Sequence, residues 1–172
     1  MKHGRKRAVS GICTRPATPL SCLEDIDPDA PFPAGVALTQ WSSATAGQFF
    51  EVYQAAFRER PGFPGWSAGE WIAWVADDDE FRPELSLLVR AGAHPVGFIV
   101  CCDDWVVQVG VRPEWRGRGL AAALVVEALR RMCAAGGRQV LLDVNVNNPS
   151  AAHVYARLGF ATIGRRARYV QF

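Results

Sequence analysis

The chain has 172 residues, of which 49% are hydrophobic and 21% are charged. These values are ordinary for a globular domain that buries its core without disulfides or metal. The formal net charge of +2 favours neither a nucleic-acid nor an acidic partner. The five cysteines have no C-x-x-C spacing, so we expect reduced thiols in a cytoplasmic protein with no metal site.

The first 34 residues differ in composition from the rest of the chain. They hold five of the eleven prolines and begin with the basic segment "KHGRKR". Such a segment buries little apolar surface, so we predict a disordered or extended arm over 1–34 and a folded domain over 35–172. The basic segment favours a solvated tail over a nucleic-acid site. No apolar run is long enough for a membrane span or a signal peptide.

Hydrophobic periodicity and turn residues predict the order βααβββαβαββ, a mixed α/β domain. A strand over 36–41 is followed by two helices, over 45–59 and 67–76, the second opened by a Ser67–Glu70 capping box. We predict strands over 85–90, 96–102, 105–111 and 139–146, helices over 120–135 and 149–159, and a final hairpin over 160–172. Short connections predict antiparallel hairpins among the middle strands. The helical crossover before 139–146 predicts a parallel neighbour for 105–111.

The turn after the strand 105–111 has the sequence "RGRGLA", residues 116–121. Glycines at a strand-to-helix junction let backbone N–H groups approach an anion, and the first helical turn adds unpaired donors. A P-loop is excluded because no lysine or hydroxyl residue follows Gly119. A dinucleotide fingerprint is formally present at Gly117, Gly119 and Ala122. The chain after Asp143 is too short to complete a doubly wound sheet.

Two motifs resemble the hallmarks of the GCN5-related N-acetyltransferase (GNAT) family. The segment "VRPEWRGRGLAAAL" resembles the family's R/Q-x-x-G-x-G/A acyl-CoA motif, with Arg116, Gly119 and Ala121 at the defining positions. The segment "NNPSAAHVYARLGF" resembles N-x-x-A-x-x-x-Y-x-x-x-G-F. The positions in register are Asn148, Ala151, Tyr155, Gly159 and Phe160. The resemblance covers roughly residues 36–172 and implies the acyl-CoA N-acyltransferase fold.

The resemblance implies a CoA-binding surface on the turn and on the strand before it. The turn's backbone amides would hold the pyrophosphate and its arginines would neutralise charge nearby. The strand's main chain would bind the pantetheine, and its neighbour would splay away from it to leave a slot. Asn148 would contact CoA while capping the last helix. The implied cofactor-binding residues are Val109, Val111, Arg116, Gly117, Arg118, Gly119, Leu120, Ala121, Ala122 and Asn148.

The resemblance also implies the reaction, transfer of an acyl group from acetyl-CoA or another acyl-CoA to a primary amine of a small molecule or protein. A main-chain N–H near Val109 or Gly110 would stabilise the oxyanion. Tyr155 matches the family's general acid, although its apolar helical spacing is also typical of a core tyrosine. The general base is unassigned, because Trp105 stands near the position of the family's glutamate. Asp104 and Asp143 are candidates, and a proton path through water with no single base stays open.

The first two predicted helices and their loop carry the residues expected to face the acceptor. Their aromatic side chains would line an apolar wall or belong to the core, and both interpretations stay open. These aromatics are Phe57, Phe63, Trp66, Trp71 and Trp74. The segment is similar to a branch of the family that includes mycothiol acetyltransferases.

The missing base leaves a second function open, a non-catalytic acyl-CoA-binding or regulatory module. The expected partners are an acyl-CoA and an amine acceptor. A membrane is not expected, nucleic acid is disfavoured, and the sequence leaves a homodimer open.

Overall fold

The computed structural model of the chain describes residues 11–14 and 30–165. Its strands are β1 (Gly11–Thr14), β2 (Val36–Gln40), β3 (Leu87–Ala91), β4 (His94–Cys101), β5 (Trp105–Val111), β6 (Leu141–Val144) and β7 (Ala161–Arg165). Its α-helices are α1 (Ala46–Phe57), α2 (Ala68–Ala76), α3 (Leu120–Ala134) and α4 (Pro149–Arg157), and a short 3-10 turn, Pro113–Trp115, precedes α3. From β2 to β7 this order confirms the predicted mixed α/β succession. The last predicted strand lies outside the described residues.

The described strands form one sheet in the order β2-β3-β4-β5-β6-β1-β7. β2 to β5 are joined in antiparallel pairs, which confirms for β3, β4 and β5 the hairpins that their short connections predict. α3 carries the chain from β5 to β6, and these strands are parallel neighbours, which confirms the predicted crossover. β5 thus lies at the centre of the sheet, where the antiparallel hairpins meet the parallel pair.

A segment of the predicted N-terminal arm takes part in this sheet. β1 is extended and lies antiparallel between β6 and β7, a pairing that the composition of the arm does not indicate. Its backbone covers the edge of β6, where the donors and acceptors of the strand need partners. β7, the first strand of the predicted final hairpin, pairs with β1; the second strand lies outside the described residues, so the hairpin stays a prediction. The boundaries of the arm and of the domain stay predictions.

The two faces of the sheet carry different cores. α3 packs an aliphatic side, including Leu124 and Leu129, against Ile99 of β4 and Leu142 of β6. On the other face α1 and α2 cover the sheet with an aromatic cluster of buried side chains. That cluster includes Phe49, Phe50, Tyr53, Trp71 and Phe98.

The predicted capping box opens α2. The Ser67 hydroxyl accepts the Glu70 N–H at 3.3 Å, and the Glu70 carboxylate accepts the Ser67 N–H at 2.8 Å. Capping of this kind satisfies orphan amides of the first turn and fixes where the helix begins. None of the described helices has the length and apolar character needed to cross a bilayer.

Candidate active site

The central strand β5 is paired on both sides at its start and on one side at its end. Its ladder with β6 joins only Trp105 to Leu141 and Val106 to Leu142. Its ladder with β4 continues to Val111 and contains a bulge at Val107. Among the described strands, the last five residues of β5 therefore have an open edge on the side of β6, where the resemblance implies a slot.

The main-chain groups of β5 alternate between β4 and this open edge. The N–H of Arg112, the residue after the strand, donates to the Val96 carbonyl of β4 at 3.0 Å. By alternation, the main-chain groups of Val109 and Val111 face the open edge. The carbonyl of Val111 accepts a hydrogen bond from the Arg116 Nε at 3.3 Å. The open edge thus offers the N–H of both valines.

The turn that follows β5 presents a row of backbone amides. Gly117 has φ +75° and Gly119 has φ +80°, a left-handed conformation that glycine adopts without a Cβ penalty. A Cβ at either position would meet nothing within 4 Å, so conformation and not packing requires these glycines. The N-cap residue of α3 is Gly119, which has no side chain to accept from the first helical amides. None of the amides from 117 to 122 donates to a carbonyl elsewhere in the described part of the chain, which leaves six donors beside the open edge.

The two arginines of the turn are held by backbone carbonyls. The Arg116 Nη2 donates to the carbonyl of Ala56 at 3.0 Å, in the last turn of α1, where carbonyls lack helical partners. The Arg118 Nη2 donates to the carbonyl of Glu114 at 3.2 Å, and its guanidinium carbon lies 4.5 Å from the centre of the Trp115 ring. Both side chains are exposed beside the amides. The sequence placed the two charges here but gave no sign of these contacts.

The second motif lies on α4. Asn148 caps this helix through its side-chain oxygen, which accepts the Ala151 N–H at 3.1 Å, and Pro149 is the first helical residue, which confirms the predicted cap. Tyr155 is half-buried against the aliphatic core, with its ring edge-on to Phe160 at 5.9 Å. Tyr155 therefore makes the contact expected of a core tyrosine. Its role as an acid, like the CoA contact of Asn148, stays a prediction.

The two candidate bases lie in different places. The Asp104 carboxylate accepts the Gln139 Nε2 at 3.1 Å, and the Asp104 carbonyl accepts the Leu141 N–H at 2.7 Å. These bonds hold Asp104 at the paired end of β5, away from the open edge. Asp143 is half-buried on β6, and strand alternation points it to the face opposite that of Leu142.

The predicted aromatic wall divides into core and surface. Trp71 is fully buried in the aromatic cluster, Phe57, Phe63 and Trp66 are half-buried against it, and Trp74 is 46% exposed. The Trp71 indole N–H also donates to the side-chain oxygen of Gln108 at 3.2 Å. No local sequence pattern predicts this bond, because it joins residues 37 positions apart.

A cavity of about 260 Å³ lies behind the turn, on the β4 side of β5 and not at the open edge. Its lining includes His94 and Arg112. The Arg112 guanidinium is already bonded to the Pro95 carbonyl at 2.6 Å and lies 3.6 Å from the Glu51 carboxylate.

The buried thiols at the end of β4 are poor nucleophiles. Burial raises the pKa of Cys102 to about 12, and the carboxylates of Asp78, Glu80 and Asp103 contribute to the rise. Burial also raises the pKa of Cys101 far above its usual range. Since the thiolate is the reactive form, neither cysteine offers a covalent route for acyl transfer.

Comparison with known proteins places this geometry in a family. Residues 46–160 match the model of the acetyltransferase (GNAT) family. The chain is 35% identical over 135 residues to a mycothiol acetyltransferase of Gordonia bronchialis, covering 71% of this chain and 42% of that protein. The chain spans about half the length of the curated relatives it matches.

Solved structures agree with this placement. The fold superposes with a TM-score of 0.73 and 25% identity on a GCN5-related N-acetyltransferase from Sphaerobacter thermophilus, covering 97% of this chain and 54% of that one. An aminoglycoside N-acetyltransferase solved in complex with CoA shares the fold, with a TM-score of 0.61, 18% identity and coverage of 83% of this chain and 95% of that one. The chain belongs to the GNAT acetyltransferase family.

Proposed function

We propose that this chain transfers an acyl group from acetyl-CoA, or another acyl-CoA, to a primary amine of a small molecule or protein. The observation that carries the proposal is the row of six backbone amides, residues 117–122, that have no acceptor in the described part of the chain and lie beside the open edge of β5. Such a row at a helix N-terminus suits a phosphate-bearing ligand. Membership of the family and the CoA complex of the aminoglycoside enzyme support the choice of CoA.

In this proposal the chain holds the acyl-CoA mainly by its backbone. The amides of 117–122 bind the pyrophosphate, while Arg116 and Arg118 lower the cost of bringing its charge to the turn. The main chain of Val109 and Val111 binds the pantetheine along the open edge, in the manner of an added strand. Asn148 contacts CoA from the first turn of α4.

The chemistry proposed is addition of a neutral amine to the thioester carbon. The Val109 N–H faces the open edge and stabilises the oxyanion that develops there. The carbon–sulfur bond then breaks, and the Tyr155 phenol gives its proton to the departing thiolate. The amine nitrogen loses its proton to a base that stays unassigned, for which Asp143 is a candidate.

The first test measures acetyl-CoA binding in two glycine variants that carry the same strain. Gly119→Ala and Gly136→Ala both place a side chain in the left-handed region, at φ +80° and +89°, so each lowers the free energy of unfolding by about 1–2 kcal/mol. Gly136 follows the far end of α3. We expect calorimetry to show affinity at least tenfold weaker in Gly119→Ala only, because tilting the amides loses charge-assisted hydrogen bonds worth about 1.5–3 kcal/mol each. Equal affinity in the two variants would contradict the phosphate site.

The second test measures CoA thiol release with a panel of amines. We expect turnover in the wild type. Tyr155→Phe lowers kcat by about 10²-fold or more, the usual contribution of a positioned acid, with acetyl-CoA affinity unchanged. Binding without turnover would support the non-catalytic module, which the comparisons do not favour. Cytoplasmic location stays a prediction, and the oligomeric state stays open.

A further inference from the structure

The open end of β5 carries one side chain with a carboxamide, Gln108. It lies two residues beyond Val106, the last residue paired with β6, and opposite Val100 of β4, which belongs to the aromatic cluster. Gln108 and Gly110 lie on the same face of the strand, and a Cβ at Gly110 would collide with the Phe98 ring. The face that β5 turns to α1 and α2 is thus apolar at its open end except for Gln108.

A buried tryptophan fixes the orientation of this carboxamide. The Trp71 Nε1 donates to the Gln108 Oε1 at 3.2 Å, and because an indole N–H only donates, its partner is the oxygen of the amide. Trp71 is fully buried and is held by Tyr53, stacked at 4.9 Å, and by Phe98, edge-on at 5.9 Å. Since the oxygen is bound to a rigid ring, the NH₂ group points away from α2.

The N–H donors of the Gln108 carboxamide are available to a ligand. No acceptor within the described ranges receives a hydrogen bond from it, and the residue is half-buried. Leaving such donors unsatisfied in a half-buried site costs free energy. The next residue along the strand is Val109, whose N–H faces the open edge. A fixed pair of side-chain donors therefore lies one residue from the proposed position of the reacting carbonyl.

We propose that Gln108 recognises the acceptor by donating a hydrogen bond to a neutral oxygen on the carbon next to the amine-bearing carbon. The inference rests on the proposed acyl transfer. In a reactive complex the amine lies about 3–3.5 Å from the thioester carbon, so an oxygen within reach of Gln108 is only a few bonds from the amine. A neutral donor suits a carbonyl or hydroxyl oxygen. The acceptor class is an α-amino amide or a 1,2-amino alcohol, and Trp71 is the positioning residue.

The test compares kcat/KM for glycinamide, ethanolamine and ethylamine, with acetyl-CoA saturating. The informative quantity is the ratio of an oxygen-bearing acceptor to ethylamine, because the effect of amine basicity cancels between variants. Gln108→Glu keeps the shape and the bond from Trp71 but has no N–H to donate. We expect this variant to lower the glycinamide-to-ethylamine ratio about tenfold, the effect of one lost hydrogen bond near the upper end of the usual range.

Trp71→Phe tests positioning, because it keeps an aromatic ring and removes only the N–H and some volume. We expect the ratio to fall about threefold, through KM for glycinamide and with kcat little changed. Trp41→Phe is the matched control. Trp41 belongs to the same cluster, 5.8 Å from Trp71, but makes no hydrogen bond to β5 within the described residues. It should leave the ratio unchanged, which separates loss of orientation from loss of packing.

An unchanged ratio in Gln108→Glu would overturn the proposal, whether kcat/KM falls equally for all three amines or for none of them. A peptide with an N-terminal glycine distinguishes a small α-amino amide from a larger one that carries the same group. If the wild type acetylates no amine, the acyl-transfer proposal fails while the recognition proposal for Gln108 is still to be decided. The side-chain ¹⁵N–H₂ signal of Gln108 then decides recognition with CoA present. A shift with glycinamide but not ethylamine supports it, and no shift overturns it.

Discussion

The two ends of β5 share an apolar sequence and differ in what their backbones do. At the start of the strand Val106 has partners in both β4 and β6 and Trp105 pairs with β6, and the preceding carbonyl, of Asp104, accepts the Leu141 N–H. At the end Val107 is bulged, and the residues from Gln108 to Val111 have partners, among the described strands, only in β4. The turn that follows adds six amides without an acceptor in the described chain.

This contrast locates binding capacity in the main chain. Valines occur at both ends of β5, so side-chain chemistry does not distinguish the paired end from the open end. The distinction is whether backbone donors already have partners, because an unsatisfied N–H gains more from a ligand than one that must first break a bond. Substitutions that alter the two ends should therefore affect stability and ligand binding in different proportions.

The largest effect is expected for Gly110→Ala at the open end. An added Cβ would overlap the Phe98 ring and lie 3.2 Å from the Phe57 Cε2, so the strand must shift. We expect the free energy of unfolding to fall by about 1–3 kcal/mol, as for other overpacked sites, and acetyl-CoA affinity to fall because Val109 moves with it. Chemical denaturation and calorimetry measure the two quantities.

Gly47→Ala serves as the control for Gly110→Ala. Gly47 lies on the exposed side of α1, and a Cβ there meets nothing within 4 Å. This variant should gain about 0.5 kcal/mol of stability, because alanine favours the helix, and should bind acetyl-CoA as the wild type does. If Gly110→Ala were as stable as Gly47→Ala, the open end would not be held by this packing.

Arg116→Ala should have the next largest effect, because its guanidinium ties the turn to α1 and to β5. Loss of the bonds to the Ala56 and Val111 carbonyls is expected to cost about 1–1.5 kcal/mol of stability, at the lower end for charged donors because the side chain is exposed. Acetyl-CoA affinity should fall as well. Denaturation and calorimetry on Arg118→Ala give the comparison. That side chain stays within its own turn, over Trp115, and its loss should cost only about 0.5 kcal/mol. Equal losses of stability and of acetyl-CoA affinity in the two variants would show that Arg116 contributes no more than Arg118.

Removing the N-cap of α2 should lower the free energy of unfolding by a smaller amount, and part of the cap's contribution depends on pH. Ser67→Ala is expected to cost about 1 kcal/mol, the usual value for a lost N-cap. The hydrogen bonds from Ser67 hold the pKa of Glu70 below its usual value of 4.5. A lowered pKa in the folded state stabilises the protein above the unfolded-state pKa, and this contribution is lost as pH falls through the folded-state pKa.

Urea denaturation of wild type and Glu70→Gln between pH 7 and pH 2 measures this dependence. The difference in unfolding free energy should be constant down to about pH 5, since both pKa values lie lower, and should shrink below it. A difference that does not change with pH would show that the carboxylate charge makes no contribution to the cap.

The fold was predictable where local chemistry decides it. The limits of β5 at Trp105 and Val111, the start of α3 at Leu120 and the capping box of α2 all follow from periodicity and turn residues. The parallel pairing of β5 with β6 followed from the length of the crossover. β1 was not predictable, because its place depends on the uncovered edge of β6 and not on its own composition.

The candidate site was predictable in position but not in contacts. The glycines at 117 and 119 pointed to an anion-binding turn because their spacing and the following helix are local features. The bonds of Arg116 to the Ala56 carbonyl and of Trp71 to Gln108 join residues 60 and 37 positions apart. No short motif encodes such pairs, since they arise from how α1 and α2 pack across the sheet.

The smallest effect is expected at the paired end, and it decides between the candidate bases. Asp104→Asn keeps an oxygen for the Gln139 amide and removes only the charge, so stability should change by less than about 0.5 kcal/mol. Asp104 precedes the two residue pairs that join β5 to β6, so these pairs separate it from the open edge. We therefore expect kcat and its pH profile to be unchanged. Asp143→Asn, on the neighbouring strand, should lower kcat and alter the low-pH limb of the profile if Asp143 takes the amine proton. If Asp104→Asn removed that limb instead, the reaction would lie at the paired end, and the division of β5 into structural and binding halves would be wrong.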